Sequence, residues 1–459
     1  MVLCAAVTVC AAWASHRHRQ LLATSMLLCV AVGLMGTALC LHERRIQTVE
    51  WPDRATTWSA ICLSEPKETK RAVAVDILTS GGKVRLVMPK TAHNRALQPG
   101  ISLCFRACVA PVGKGTLLSK DYALYLLTHN YTGTAYCKTW TAARNAPNVT
   151  VDLGERLRLR CLMWRHRLLQ RYEGLGLEEN DLAVLQAMTL GEKNRLTAEL
   201  RNDYSATGAS HVLALSGLHL GIVACLLLRW VRQRKILLPA ALLTIAVVWT
   251  FALTAGLPAS VVRAAIMVSV YVVVQVGWRR PSAMNSLALA AILMLVAEPL
   301  ALIDVGFQLS FLSVAAIVLT GMLLGHNRWE TLWVPIAAQT ATAPLVAYYF
   351  GRLPVYFLLV NMLVVPVTSA ILVIGLVTLL LWPLAGLTQP VLYWLLRVQN
   401  VGIAHIASWP GACIEGLHPK PLTVAMMYVL LVLVCLTAFY LKKCFTQRPS
   451  FRSMRSPWR

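Results

Sequence analysis

The sequence predicts a polytopic α-helical membrane protein, with about 10 to 11 transmembrane helices and a small extracytoplasmic β-barrel domain inserted near the front. Two observations support the helical part. Of the 459 residues 57% are hydrophobic and 14% are charged, and apolar runs long enough to cross a bilayer recur along the chain. A third observation supports the insert, because one early stretch alternates at the two-residue period of β-strands. This composition excludes an ordinary soluble protein.

The spans are predicted in two groups. Residues 1–41 form an amino-terminal transmembrane hairpin from the apolar runs 2–14 and 21–41. The basic loop follows the first run, whereas a signal peptide carries its charge before the run. The second group forms a transmembrane domain at 211–441, with spans at 211–228, 236–254, 259–277, 283–298, 305–324, 331–350, 355–382, 391–409 and 421–441.

Segment 391–409 has an alternative interpretation as a surface or pathway-lining helix, because it contains Arg397, Gln399, Asn400 and His405. If it lies flat on the membrane, the chain makes one crossing fewer before the tail. The stretch 355–382 must then supply that crossing by breaking at Pro366.

Loop charge predicts the orientation. Arg17 and Arg19 place the first loop in the cytoplasm under the positive-inside rule, so the insert lies outside. Residues 442–459 then form a basic cytoplasmic tail. Such loops explain part of the net charge of +23. The remainder indicates a polyanionic partner as well as membrane lipid, and charge alone does not choose between them.

The insert, residues 42–152, is predicted to be a β domain. Strands are expected at 57–64, 71–79, 83–88, 101–109 and 134–140, with a hairpin turn at Ser80-Gly81-Gly82 and a break at Pro99-Gly100. Five short strands fit an oligonucleotide-binding barrel, although many small β domains have as many.

A basic amphipathic helix is predicted at 153–176, followed by a helical linker at 177–210. Basic and aromatic residues together are typical of surfaces that bind single-stranded nucleic acid. The candidate DNA-binding cations of the insert are Arg71, Lys83, Arg85, Arg106 and Lys138, and the candidate stacking aromatics are Trp58, Phe105, Tyr122, Tyr125, Tyr131, Tyr136 and Trp140. The alternative is a basic face that lies on anionic headgroups.

The stretch from His211 to Gly221 places two histidines, Ser216 and Gly217 at the head of a predicted span. Polar groups in lipid usually face a bundle interior or a water-filled path. We interpret His211, Ser216, Gly217 and His219 as the lining of a polar path at a kinked helix, with interhelical packing as the alternative. A catalytic Ser216–His219 pair is disfavoured because no third orienting group is visible.

Arg263 is a second polar anomaly, because it lies within an otherwise apolar span. A structural ion pair with Asp304 is one interpretation. The other is that Arg263 faces the path and meets passing phosphates while Asp304 orients it. Gln308, Gln339 and Asn361 are expected to line the same path, because amides attract a polyanion without holding it too tightly.

Several ordered blocks resemble the ComEC family of competence DNA channels. They begin with Gly191 to Leu196, Glu199 to Tyr204 and Gly208 to Gly221, followed by Gly256 to Met267 and Asn285 to Ala291. The match continues through Asp304 to Ser313, Ala338-Gln339 with Pro344, and Asn361 with Pro366. The insert is also similar to the family's oligonucleotide-binding-like domain at residues 122–127 and 131–136.

The resemblance implies a multi-pass channel in the bacterial inner membrane that passes single-stranded DNA into the cytoplasm during natural transformation. It implies two separate partners, an extracytoplasmic DNA receptor and a cytoplasmic helicase-type ATPase. Many members end in a nuclease domain that nothing after Lys443 could encode, so any nuclease must be a separate protein. No phosphate loop or metal motif is visible, and we expect no cofactor, metal or catalysis. The alternatives are a small-solute secondary transporter and, less favoured, a membrane-embedded hydrolase.

Overall fold

The computed structural model describes residues 51–446, except for gaps at 70–71, 113–119, 144–148, 150, 216, 233–236, 277–281 and 326–328, together with Gly36, Ala38 and Val49. Three sequence predictions lie wholly or largely outside these residues: the hairpin at 1–41, the side chains of Arg71 and Ser216, and the basic tail.

The insert folds as a mixed β-sheet. In the described part of the chain its strands are β1 (Thr56–Cys62), β2 (Lys67–Glu68), β3 (Val73–Thr79), β4 (Gly82–Met88), β5 (Ser102–Ala107), β6 (Val109–Pro111), β7 (Tyr131–Tyr136) and β8 (Trp140–Ala142). The short helix α1 (Ala92–Arg95) follows β4, and α2 (Lys120–Thr128) precedes β7. All five predicted strands are present, whereas β2, β6 and β8 are two or three residues long and show no periodicity.

The sheet is open, with the strand order β6-β7-β4-β3-β1-β5-β8 and β2 beside β3. Every pair is antiparallel except β4 with β7, which is parallel. Among the described residues the end strands β6 and β8 do not pair with each other. The predicted barrel is therefore not confirmed, because the chain returns through α2 to add β7 in parallel instead of closing an antiparallel meander.

Alternating side chains form the core of the sheet. Val73, Val75 and Ile77 on β3 lie at most 1% exposed, as do Val84 and Leu86 on β4, because strand side chains alternate between the two faces. The predicted Ser80-Gly81 turn joins β3 to β4. Its Gly81 is required, since a Cβ there would lie 2.5 Å from the Trp51 ring. The core therefore fixes the turn as well as the strands.

The rest of the described chain is helical. Its helices are α3 (Leu153–Glu173), α4 (Glu179–Leu190), α5 (Ala198–Ala206), α6 (Ser210–Leu213), α7 (Gly217–Arg232), α8 (Leu237–Thr254), α9 (Ala259–Val276), α10 (Ala283–Ala297), α11 (Val305–Leu324), α12 (Glu330–Phe350), α13 (Phe357–Leu380), α14 (Ala385–Ala407) and α15 (Pro421–Thr446). Short 3₁₀ turns occupy Pro299–Ile303 and Trp382–Leu384, and β9 (Arg352–Pro354) pairs with β10 (Cys413–Glu415).

Four helical segments in the described residues are long and apolar enough to cross a membrane: Ala259–Val276, Val305–Leu324, Phe357–Leu380 and Pro421–Lys442. Leu238–Thr254 and Ala283–Ala297 are shorter apolar helices. The chain is thus a membrane protein, and the larger number of spans stays a prediction. Helix α13 runs through Pro366 as one element, so the break considered there is not observed.

The chain divides into two compact units, both discontinuous in sequence. The first contains the described residues of Met1–Leu196, Ala214–Gln308 and Leu372–Pro390. The second contains those of Thr197–Leu213, Leu309–Ile371 and Val391–Arg459. The domain boundaries expected from the sequence stay predictions.

A polar network lies inside the second unit. The buried Tyr204 hydroxyl donates to Asn400 Oδ1 at 2.7 Å and accepts from Gln399 Nε2 at 3.0 Å. Gln399 Oε1 in turn accepts from Thr368 Oγ1 at 3.1 Å. Buried polar groups of this kind are retained when each is hydrogen-bonded. The network therefore connects α5, α13 and α14.

Replacing Tyr204 with Phe removes both hydrogen bonds of the buried hydroxyl. We expect Tyr204→Phe to lower the free energy of unfolding by about 1–3 kcal/mol, because Gln399 and Asn400 stay buried. Thermal unfolding of the detergent-purified protein measures the loss. Tyr136→Phe is the matched control, since Tyr136 is 58% exposed. Equal unfolding temperatures for the two variants would contradict a stabilising network.

Candidate functional site

The predicted kink in the polar stretch is a helix break. Helix α6 ends at Leu213 and α7 begins at Gly217. A break frees backbone carbonyls that would otherwise bond within the helix. The Leu215 carbonyl accepts a hydrogen bond from Ser260 Oγ of α9 at 2.7 Å. Ser260 thus supports the break, a role that its position in a resemblance block did not reveal.

Arg263 lies beside the start of α7. The residue is 4% exposed, and a Cβ on Gly217 would lie 3.2 Å from its Nη2 atom. A side chain at position 217 would therefore crowd the guanidinium. The amino-terminal end of a helix carries partial positive charge, so the guanidinium and the helix end together form a positive site within an apolar part of the first unit.

The two histidines of the stretch differ in environment. His219 is fully buried on α7, whereas His211 is exposed and its Nδ1 lies 3.0 Å from the Gly208 carbonyl oxygen. They belong to different units, with His211 in the second and His219 in the first. Ser216 lies outside the described residues, so the expectation of a Ser216–His219 pair stays open.

Gly191 connects the loop 191–194 to the break. It closes α4 with a left-handed φ of 74°, and a Cβ there would lie 2.7 Å from Leu215 Cδ1 and 3.3 Å from the Ala255 carbonyl oxygen. Glycine adopts this conformation without the steric strain of other residues. The structure thereby brings three resemblance blocks, 191–196, 208–221 and 256–267, to one place.

The turn between α8 and α9 is strained. Gly256 and Leu257 both have positive φ, 83° and 58°, and Leu257 N donates to the Ala252 carbonyl at 2.9 Å. For a residue other than glycine this conformation costs about 1–2 kcal/mol. The strain is tolerated where surrounding packing fixes the backbone, here the cluster of Leu215, Leu220, Ala224, Val248, Ala252, Ala255, Val261, Ala264 and Ala265.

Glu192 is a buried acid that the sequence interpretation did not assign a role. It is 4% exposed and accepts from Arg165 Nη2 at 2.7 Å and from Asn194 N at 2.9 Å. Burial raises the pKa of Glu192, and the nearby Arg165 opposes that rise. The pair holds the loop 191–194 on α3.

Asp304 and Gln308 hold the turn that leads into α11. Asp304 Oδ2 accepts from Phe307 N at 2.9 Å, and Gln308 Nε2 donates to the Leu302 carbonyl at 2.9 Å. Among the described contacts Asp304 forms no ion pair with Arg263. Asp304 instead acts as a helix cap, a use that short acids commonly have.

The remaining lining candidates lie in the second unit. Gln339 is half-buried on α12. Asn361 is half-buried on α13, where its Nδ2 donates to the Phe357 carbonyl at 2.8 Å.

The cations predicted on the sheet do not form one surface. Arg85 pairs with Asp76 at 2.9 Å and donates to the hydroxyls of Tyr122 and Tyr131, while Lys83 lies 4.0 Å from the Tyr131 ring centre. Arg106 and Lys138 are exposed. Three of the expected stacking aromatics are instead core residues, namely Phe105, Tyr131 and Trp140.

The described residues contain no group of three His, Cys, Asp or Glu side chains placed to hold a metal ion.

The family model for Competence protein matches residues 188–440, more than half of the chain. The chain belongs to the ComEC family of competence proteins. All of the resemblance blocks of the channel part fall within the matched region.

Among relatives of this ComEC-family chain, ComE operon protein 3 of Bacillus subtilis (strain 168) is 26% identical over 386 residues, which cover 82% of this chain and 47% of the relative. Competence protein ComA of Neisseria gonorrhoeae is 28% identical over 229 residues, 46% of this chain and 32% of the relative. An uncharacterized protein of Aquifex aeolicus (strain VF5) is 31% identical over 222 residues, 47% of this chain and 52% of the relative.

The chain thus spans about a third to about a half of the length of these relatives. No solved structure matches it.

Substituting Gly191 tests whether the loop packs on the helix break. Gly191→Ala introduces left-handed strain of about 1 kcal/mol and a Cβ 2.7 Å from Leu215 Cδ1. Gly176→Ala is the matched control, because Gly176 has a φ of 66° and nothing within 4 Å of the added Cβ. We expect the larger drop in unfolding temperature for Gly191→Ala. Equal drops would mean that the loop does not pack on Leu215.

Proposed function

We propose that this ComEC-family chain forms the membrane path by which single-stranded DNA crosses the bacterial inner membrane during natural transformation. In this proposal residues 42–152 are an extracytoplasmic, oligonucleotide-binding-like domain, 153–176 a helix on the membrane surface, 177–210 a linker and 211–441 the channel. Residues 1–41 add a membrane hairpin and 442–459 a cytoplasmic tail. The chain is a conduit and not a catalyst.

The observation that supports this function best is the buried Arg263 beside the start of α7. Charge in an apolar segment is costly and is usually kept for function. A guanidinium near the positive end of a helix does not stabilise that helix, but both positive groups attract an anion. A phosphate of the passing strand supplies that anion.

The amides and histidine complete the proposed path. His219 lies on α7 two residues after Gly217, and Gln308, Gln339 and Asn361 are polar groups on mostly apolar helices. His211, Ser216, Gly217 and Asp304 belong to the same path in this proposal. Polar amides with sparse positive charge allow a polyanion to enter and to leave.

Helix α3 supports the assignment of a membrane-surface segment. Its exposed side chains include two kinds. The basic ones are Arg156, Arg160, Arg167 and Arg171, and the large apolar ones include Leu157, Met163 and Trp164. A basic helix with exposed Leu, Met and Trp is typical of one that lies at a lipid interface. Membrane lipid is therefore a partner in this proposal.

The remaining partners follow from what transport requires. Pulling a strand inward needs a cytoplasmic helicase-type ATPase, and capture needs an extracytoplasmic DNA receptor. Degradation of the other strand, where it occurs, is assigned to a separate nuclease.

Arg263 variants test the path. In a strain whose only copy of the chain carries Arg263→Met, we expect entry of labelled DNA into the cytoplasm to fall about tenfold or more, because a phosphate contact of more than about 1.4 kcal/mol is lost. Arg263→Lys keeps the charge and retains more entry. DNA bound at the cell surface stays unchanged. Protein in the membrane fraction is measured in parallel.

Arg201→Met is the control, since Arg201 is exposed on α5, outside the proposed channel at 211–441, and its loss leaves entry near the unsubstituted level. The proposal is wrong if deletion of the whole chain leaves DNA entry intact. An unaffected Arg263→Met strain would remove Arg263 from the path.

A further inference from the structure

A charged cavity of about 240 Å³ lies within the first unit, at a distance in sequence from Arg263. It is bounded by the sheet, helix α3, the loop 191–194 and the turn at Gly256. The lining residues are Leu63, Ser64, Glu65, Asp76, Lys83, Pro99, Arg158, Leu162, Arg165, Gly191, Glu192, Lys193, Asn194, Ala255 and Gly256. Sites for whole small molecules usually measure about 300–1,000 Å³, so this cavity suits a smaller group.

The acids of the cavity are already paired. Glu65 lies 2.9 Å from His166 Nδ1, Asp76 pairs with Arg85 at 2.9 Å, and Glu192 pairs with Arg165 at 2.7 Å. Each of these carboxylates therefore already has a hydrogen-bond or ion-pair partner within the first unit. Lys83, Arg158 and Lys193 add further positive charge to the lining.

Lys83 lines the cavity from strand β4 and Arg158 lines it from helix α3. In the described part of the chain the buried Arg158 Nε has no hydrogen-bond acceptor. Lys83 Nζ lies 3.4 Å from the His129 carbonyl and 4.0 Å from the Tyr131 ring centre. The pKa of Lys83 is lowered to about 8, chiefly by burial; the carboxylates of Asp76 and Glu298 oppose this lowering, and the charges of Arg158 and Arg85 add to it. A buried donor and closely spaced cations are the complement of an anion.

We propose that this cavity binds one phosphodiester group of a DNA strand, with Lys83 and Arg158 as the contacting cations. The inference rests on the proposed function for the source of the phosphate. A strand is favoured because the cavity joins the sheet to the loop 191–194, whose Gly191 packs on the helix break at Leu215. A phosphate held there touches both parts of the proposed path. The exposed face of α3 is the separate surface for lipid.

The direct test measures binding of a fluorescent oligodeoxyadenylate to the purified full chain in phosphatidylcholine nanodiscs at several salt concentrations. Lys83→Gln and Arg158→Gln should each weaken binding about tenfold, as expected for a charge-assisted hydrogen bond. Each should also reduce the slope of log affinity against log salt by about 0.7, the value for one single-strand phosphate. Wild-type affinity and slope in both variants would overturn the inference.

Arg160→Gln is the matched control. Arg160 is exposed on the same helix two residues from Arg158, and the substitution removes the same charge. We expect it to leave the affinity and the salt slope unchanged. A loss of affinity as large as that of Arg158→Gln would show a general effect of charge on the helix. It would overturn the proposal that the cavity binds the phosphate.

The pH dependence of oligonucleotide affinity is an independent readout, because a variant that only misfolds would not reproduce it. Lys83 must carry its proton to bind an anion, so affinity should fall as the pH rises from about 7 to about 9. Lys83→Arg stays charged and should bind over the whole range. A pH response that persists in Lys83→Arg would exclude Lys83 as its origin. The charged or titratable groups around Lys83 are Arg85, Asp76, Tyr131, Arg158 and Glu298, and burial raises the pKa of Tyr131.

Phosphatidylglycerol nanodiscs distinguish a strand from a lipid headgroup. If the anionic lipid displaces the oligonucleotide from the unsubstituted protein and the effect disappears in Arg158→Gln, the cavity holds a headgroup and the strand assignment is overturned. Cell experiments separate the two proposals. Normal DNA entry in a deletion strain would contradict the proposed transport function. Binding measurements on the purified protein would still test whether the cavity binds a strand. Lost entry in the deletion strain together with unaltered binding by both cavity variants defeats the cavity alone.

Discussion

The broken helix between α6 and α7 is the constraint on which the candidate site depends. A buried backbone group that is left unpaired is costly, so a break inside the packed protein persists only where the protein supplies partners. Ser260 supplies one for the Leu215 carbonyl, and the Leu215 side chain fills the space beside Gly191. The strained turn at Leu257 precedes the helix that carries Ser260 and Arg263. The break, the loop and the turn therefore cannot vary independently.

The buried pair between Glu192 and Arg165 extends this constraint to the extramembrane part of the first unit. A buried ion pair adds little net stability, yet losing one partner costs about 3–5 kcal/mol because the other charge stays buried. The pair thus fixes the position of the loop 191–194 more than it adds to the stability of the protein. It holds the loop 191–194 on α3, the helix that carries Arg158. Through Gly191 the same loop contacts the break. One short segment therefore connects the position of Arg158 on α3 with the position of the break.

Sequence patterns predicted the parts of this protein that depend on local periodicity. The five longer strands, the Gly81 turn and the helical segments from α7 to α15 all follow from alternation, apolar runs and turn residues. Closure of the sheet did not, because the parallel pairing of β4 with β7 depends on contacts between distant residues. In the site, Gly217, His219 and Arg263 were recognised as costly in an apolar helix. Asp304 was assigned to Arg263 from composition alone, and its actual hydrogen bond to Phe307 N is set by the local backbone. The proximity of Lys83 to Arg158 depends on how α3 packs, which no local pattern encodes.

A strand that passes through a membrane protein must be attracted at each step and released at the next. Permanent, unopposed cations would hold phosphates firmly, whereas the cavity mixes its cations with Glu65, Asp76 and Glu192. Lys83, with a pKa lowered to about 8 by burial, is mostly protonated near neutral pH and loses its charge as the pH rises above that value. In the proposed path, Arg263 then meets the strand in an apolar setting where each contact is stronger because water is excluded. Binding of this graded kind favours entry without trapping, and net movement in one direction must come from pulling on the cytoplasmic side.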